Sequence, residues 1–269
     1  MAEDILRNEG LPATTPRYRY QDAEQCVRCL ELESKRYRKG QSSYIIFDHV
    51  DRRAFREDFD NKSADRLLQK AFLSYYFSSQ TLILRVTVSS IHETSWGTFL
   101  EIFASWHRAQ ESRLVPGGSV EGTTRAKKPS CTWRPQGYPP NRDVKWPTVV
   151  VEAGWSETLK KLKEDASFWF HESNQQVQVM LTIRTTERGT ITIEKWAVEG
   201  NSVKSVQKMW IVRNRNHDSE DHQISGSIQI PFQECYLRAK RNSETDFVMS
   251  HSDMLDIAQS VWHFMDELP

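Results

Sequence analysis

The stretch PTVVVEAGWSETLKKLKEDASFWF, Pro147 to Phe170, decides how the rest of the chain is read. Pro147 leads into a β-branched run, Thr148 to Val151, which ends in Glu152 just before Gly154 and Ser156. From Glu157 to Phe170, Leu159, Leu162, Ala166 and Trp169 recur on one helical face. A strand, an acidic residue and a helix thus follow one another directly. Glu152 interrupts an apolar strand, where a carboxylate is costly unless it meets a cation or hydrogen-bond donors. Two readings stand side by side: a metal carboxylate, or a cap on the helix that follows.

Working outward, Val177 to Arg184 and Thr190 to Val198 flank Glu187, Arg188 and Gly189 as a hairpin, and Lys208 to Arg213 and Ser225 to Pro231 read as further strands. Ser252 is placed to cap a last helix carrying Leu255, Ala258, Val261 and Trp262. Upstream, the loop from 113 to 147 is dense in Pro and Gly, with a short strand expected over Pro129 to Arg134. Before it, Thr81 to Ser89 reads as a strand buried on both faces that opens the core, and Trp96 to Arg108 as the helix it feeds. Residues 1–20 read as a flexible arm ending in Arg17-Tyr18-Arg19-Tyr20, and helices are expected over Asp22 to Lys39 and Ser63 to Phe77. The expected division is 1–78, arm and helical addition, and 79–269, core.

Composition limits the function classes. In 269 residues, hydrophobic side chains make up 38% and there are nine Trp, enough for a packed interior. The 36 basic and 36 acidic residues cancel, so nucleic-acid binding would need a local patch rather than a global field. Four sparse Cys and a start without an apolar run point to a reduced, intracellular protein, cytoplasmic or nuclear. No run approaches the roughly 18 apolar residues of a membrane span, so no membrane partner is expected. Phosphate-loop, dinucleotide, nucleophile-elbow and zinc-protease motifs are absent from the sequence. Cys26 and Cys29 form a C-x-x-C inside a helical pattern and read as core thiols, and His217 and His222 sit in a polar segment that reads as a surface loop.

Pro147 to Phe170, with its apolar strand ending in Glu and its helix carrying Asp165-Ala166, resembles the fungal branch of the PD-(D/E)XK, restriction-endonuclease-like nuclease superfamily. VQVMLTIR, ITIEKW and KKPSCTWRP (Lys127 to Pro135) are similar to segments of the same family. The resemblance implies an α/β fold with a central mixed sheet flanked by helices, here preceded by an N-terminal helical addition. It also implies that Glu152 is a metal ligand, and that the first metal carboxylate would stand where this chain has Ser130. A neutral hydroxyl is a much poorer Mg²⁺ ligand than a carboxylate. The superfamily's Lys would stand at Gly154, so an active member needs a Lys from the next helix. Lys163, beside Leu159 and Ala166, is the choice over Lys160 and Lys161, with an ordinary surface lysine as the favoured alternative reading. His92-Glu93 resembles a pair that opens the family's first core helix, making Glu93 a candidate additional acid; a helix N-terminal Glu favoured by the macrodipole is the other reading.

Arg125, Lys127, Lys128 and Arg134, interleaved with Trp133, form a candidate nucleic-acid patch, with solvated loop charge as the alternative. The expectation is a nuclease-fold protein whose metal-dependent phosphodiesterase activity is weakened or lost, acting through nucleic-acid or protein binding. The alternative is an active Mg²⁺-dependent DNA or RNA endonuclease using Glu152 and a migrated Lys. A third expectation is a protein partner docking on the N-terminal helices.

Overall fold

A computed structural model describes residues 9–37, 42–61, 63–86, 90–155, 158–214 and 222–267. In chain order the elements are β1 (Arg17–Arg19), α1 (Ala23–Arg36), β2 (Tyr44–Asp48), α2 (Arg52–Asp58), α3 (Arg66–Ala71), β3 (Phe72–Tyr76) and β4 (Thr81–Arg85). Next come α4 (Ser90–Arg108), β5 (Leu114–Pro116), β6 (Val120–Glu121), β7 (Arg125–Lys127), β8 (Cys131–Pro135), β9 (Val149–Trp155) and α5 (Leu159–Glu172). The chain ends with β10 (Val179–Thr185), β11 (Ile191–Glu199), β12 (Ser202–Val212), β13 (Gln223–Gly226), β14 (Ile228–Ile230), α6 (Phe232–Tyr236), β15 (Phe247–Met249) and α7 (His251–Glu267). These elements form two units, 1–88 with 119–128, and 89–118 with 129–269.

The first unit is built on a six-stranded sheet of order β1-β2-β4-β3-β7-β6. The expected helical addition is therefore a sheet with three helices, and two differences explain the change. Leu67, Leu68 and Ala71 begin a helical pattern that Phe72 and Tyr75 continue by spacing alone, but at Phe72 the backbone turns extended and β3 pairs with β4 and β7. Thr81–Arg85 is buried on both faces as expected, yet its partners are β2 and β3, so it belongs to this unit and not to the second. The Arg17 to Tyr20 segment is also structured: β1 runs parallel to β2, Arg17 pairs with Asp48, and the Tyr18 and Tyr20 hydroxyls donate to Glu33 and Asp58. Cys26 is fully buried in this core and Cys29 half-buried, where both were expected to be half-buried.

β6 and β7 show how the chain serves both units. They arise between β5 and β8, inside the Gly- and Pro-rich loop, and β7 pairs antiparallel with β6 on one side and with β3 on the other. The first unit is thus completed by a hairpin inserted in the sequence of the second.

The second unit holds a seven-stranded sheet of order β13-β12-β11-β10-β9-β8-β5. β9 and β10 are parallel, joined through α5 as a parallel pair requires, while the other pairings are antiparallel. The sheet is mixed, as expected. The hairpin between β10 and β11 closes through Gly189, whose φ of 83° suits glycine. α7 is capped two residues earlier than expected: Ser250 Oγ accepts from the Asp253 N–H at 3.1 Å, and the Asp253 carboxylate accepts from the Ser250 N–H at 2.7 Å. One face of the sheet, through Val149, Val151, Leu181, Ile183, Ile193 and Ile211, packs on Phe99 and Phe103 of α4 and on Ile257 and Val261 of α7. The other face meets α5.

Candidate functional site

Glu152 lies on the α5 face, because Val151 and Ala153, its neighbours in β9, point into the opposite apolar layer. The register then builds a polar row across the sheet. Glu152 pairs with Thr182, Thr182 with Glu194, and Glu194 with Lys208, and directly paired residues share a face. On the other side of Glu152, β8 pairs Cys131 with Val151, so one further step sets Ser130 opposite Glu152. The Ala153 N–H donates to Ser130 Oγ at 2.9 Å, which confirms that placement.

Several polar groups in this layer have defined partners. Glu152 is 3% exposed, and its Oε1 accepts from the Trp169 indole N–H at 2.9 Å. Thr182 Oγ1 accepts from the Trp196 indole N–H at 2.9 Å. On α5, Thr158 caps the helix by accepting from the Lys161 N–H. Lys161, Asp165 and Trp169 follow at one-turn spacing, and Lys161 and Asp165 are each 2% exposed. Lys161 Nζ reaches both Asp165 oxygens, at 2.8 and 2.7 Å. Burial, and then the Glu152 carboxylate, push the Cys131 thiol well above its ordinary range, so it stays protonated and is a poor nucleophile.

This changes the choice of lysine. Lys163 is exposed, and the inward lysine is Lys161. The helical stripe was phased on Leu159, but that first-turn residue is 54% exposed, and the buried arc runs through 161, 162, 165, 166 and 169. The i, i+4 spacing of Lys161 and Asp165 was visible in the sequence; its burial was not.

The other candidates lie elsewhere. Glu93 is exposed in the first turn of α4, where the macrodipole favours an acid, and the side chain of His92 is outside the described residues. Arg125 is buried in the first unit against Glu9 and Tyr76, Lys127 is fully buried there, and Lys128 Nζ donates to the Gln69 carbonyl at 2.6 Å. Burial, followed by Arg85 and Lys70, lowers the pKa of Lys128. Trp133 is buried in the core of the second unit, and Arg134 donates to the Val144 carbonyl at 3.1 Å. Arg125, Lys127, Lys128 and Trp133 are therefore turned toward folding contacts rather than toward solvent. His222 packs on Trp262 at 4.4 Å, while His217 lies outside the described residues.

A Mg²⁺ site needs several hard oxygen donors converging on one point. Here Ser130 is neutral and engaged by a backbone N–H, one Glu152 oxygen is engaged by an indole, and both Asp165 oxygens hold Lys161. Among the described residues no group of three or more His, Cys, Asp and Glu could hold a metal ion. The described residues do not fit Mg²⁺. What the arrangement does instead is fix α5 to the sheet through paired polar groups.

A separate cleft of about 780 Å³ in the second unit is lined by Arg113, Tyr138, Tyr236 and Arg238, among others, and shares no residue with the Glu152 row. Its Arg238 is already held by Glu244 and Ser112. No helix among the described residues is long and apolar enough to cross a membrane. No protein-family model and no curated protein matches this chain.

Proposed function

We propose that the second unit is a restriction-endonuclease-like domain of the PD-(D/E)XK superfamily, fungal branch, whose phosphodiesterase chemistry is lost and whose scaffold acts by binding nucleic acid. The observation that carries this reading is the Ser130 and Glu152 pair. Glu152 in β9 and Ser130, just ahead of β8, stand side by side, where the family resemblance places two metal carboxylates, and both are engaged by neighbouring N–H groups. A cation entering there would have to displace an indole and a backbone donor while finding one carboxylate in place of two. The helix-flanked mixed sheet, with its parallel pair β9 and β10 joined through α5, is consistent with the same reading.

The competing reading, an active Mg²⁺-dependent endonuclease with a lysine carried over to the helix, draws support from Lys161. That lysine is buried on the face of α5 that also carries Trp169. Its bidentate hold on Asp165 argues against a role in activating water. Nuclease assays with Mg²⁺ or Mn²⁺ on single- and double-stranded DNA and RNA separate the two. The proposal expects oligonucleotide binding without cleavage. Cleavage that Glu152→Ala removes while the fold stays intact would establish the competing reading.

A further inference from the structure

β10 carries one more residue on the polar face, two positions beyond Thr182. Arg184 pairs with Gly154 on β9 and with Thr192 on β11, so neither neighbour in its row is a carboxylate. Among the described residues its Nε is buried and has no hydrogen-bond partner, and no ion pair to Arg184 forms. Arg184 as a whole is half-buried, and a buried N–H left this way on a cationic group is unfavourable unless something else supplies the acceptor. Its position narrows what that is. β9 and β10 are parallel, and Gly154 and Arg184 stand near their carboxyl ends, the rim where open α/β sheets receive ligands. Gly154 adds no side chain beside the guanidinium, whose planar fork matches an oxyanion.

We propose that Arg184 anchors a phosphate group at the carboxyl ends of β9 and β10. The inference rests on the nucleic-acid-binding reading for the source of that phosphate, a backbone phosphodiester; free inorganic phosphate shares the same chemistry. Glu152 and Glu194 stand on the same face one row back, and Glu152 has one oxygen held by Trp169. These carboxylates oppose an incoming anion. Neutralising Glu152 therefore tightens anion binding, the reverse of what a metal-bridged phosphate site would do.

The test titrates wild type, Arg184→Gln, Arg184→Lys and Glu152→Gln with inorganic phosphate and with short single-stranded and duplex oligonucleotides, after circular dichroism has shown each variant folded. Arg184→Gln should weaken oligonucleotide binding roughly tenfold or more, with Arg184→Lys intermediate and Glu152→Gln tighter than wild type. The slope of log affinity against log salt should shrink by about 0.7 to 0.9 in Arg184→Gln, one phosphate contact fewer. If oligonucleotides bind wild type and Arg184→Gln alike, the anchor is overturned and the nucleic-acid reading survives. If oligonucleotides do not bind but inorganic phosphate raises the melting temperature of wild type and not of Arg184→Gln, the anchor stands and the nucleic-acid reading falls. If no anion distinguishes wild type from Arg184→Gln, the inference is wrong.

Discussion

The two faces of β9 are buried by opposite strategies. Val149, Val151 and Ala153 meet an apolar layer in which many side chains from α4, α7 and the neighbouring strands share the load. Glu152, on the other face of the same strand, is equally buried but is held by directed contacts, as are Ser130, Thr182 and Lys161 nearby. An apolar layer is non-directional and tolerates adjustment, whereas a buried polar layer holds only while each group keeps its partner. The same strand therefore has one face that defines the fold and one face that keeps the chemical character of a site.

That contrast can be broken by substitution, and the molecule offers a convenient reporter. All nine Trp lie in the second unit, so tryptophan fluorescence during urea unfolding follows that unit alone. The largest effect is expected from Val151→Asp, which places a charge in the apolar layer. A loss of more than about 4 kcal/mol is expected, enough to leave the unit unfolded or insoluble. Asp165→Ala comes next, at about 3–5 kcal/mol, because Lys161 is then buried without its carboxylate. Replacing both, Lys161→Met with Asp165→Leu, should recover most of that loss; a double variant as unstable as the single one would mean that the ion pair is not what the site needs. Trp169→Phe keeps an aromatic ring but removes the donor to Glu152 and part of the buried bulk, with an expected loss of about 1.5–3 kcal/mol. Ser130→Ala is the smallest, about 1 kcal/mol, for the acceptor of one backbone N–H.

The same contrast explains what could be read from the sequence. The β9 to α5 succession, the β10 and β11 hairpin with Gly189, and α7 all carry their signal locally, as β-branched runs, a turn glycine or a helical stripe. β3 does not: Phe72 and Tyr75 fit the helical spacing begun by Leu67, Leu68 and Ala71, and pairing with β4 and β7 decides against it. Nor does the β6 and β7 hairpin announce that it returns to the first unit, since its partner β3 lies some fifty residues earlier and the surrounding Gly and Pro read only as loop. Within the site, Glu152 and Ser130 were legible because each stands out beside Gly154 or Pro129, although β9 runs on to Trp155 and places Glu152 in mid-strand rather than at the strand end the sequence suggested. Lys161 was missed because helix phase is set by packing, and Leu159, the residue used to set it, faces solvent.

On the nuclease-like reading proposed above, Ser130 stands as a folding contact at what would be a metal-binding position. The most direct test of this is calorimetric titration of Mn²⁺ into wild type and Ser130→Asp under identical conditions. Specific binding that appears only in Ser130→Asp, and disappears again when Glu152→Ala is added, is the predicted result. Specific binding by wild type that Glu152→Ala abolishes would contradict it and would restore the site as a metal centre.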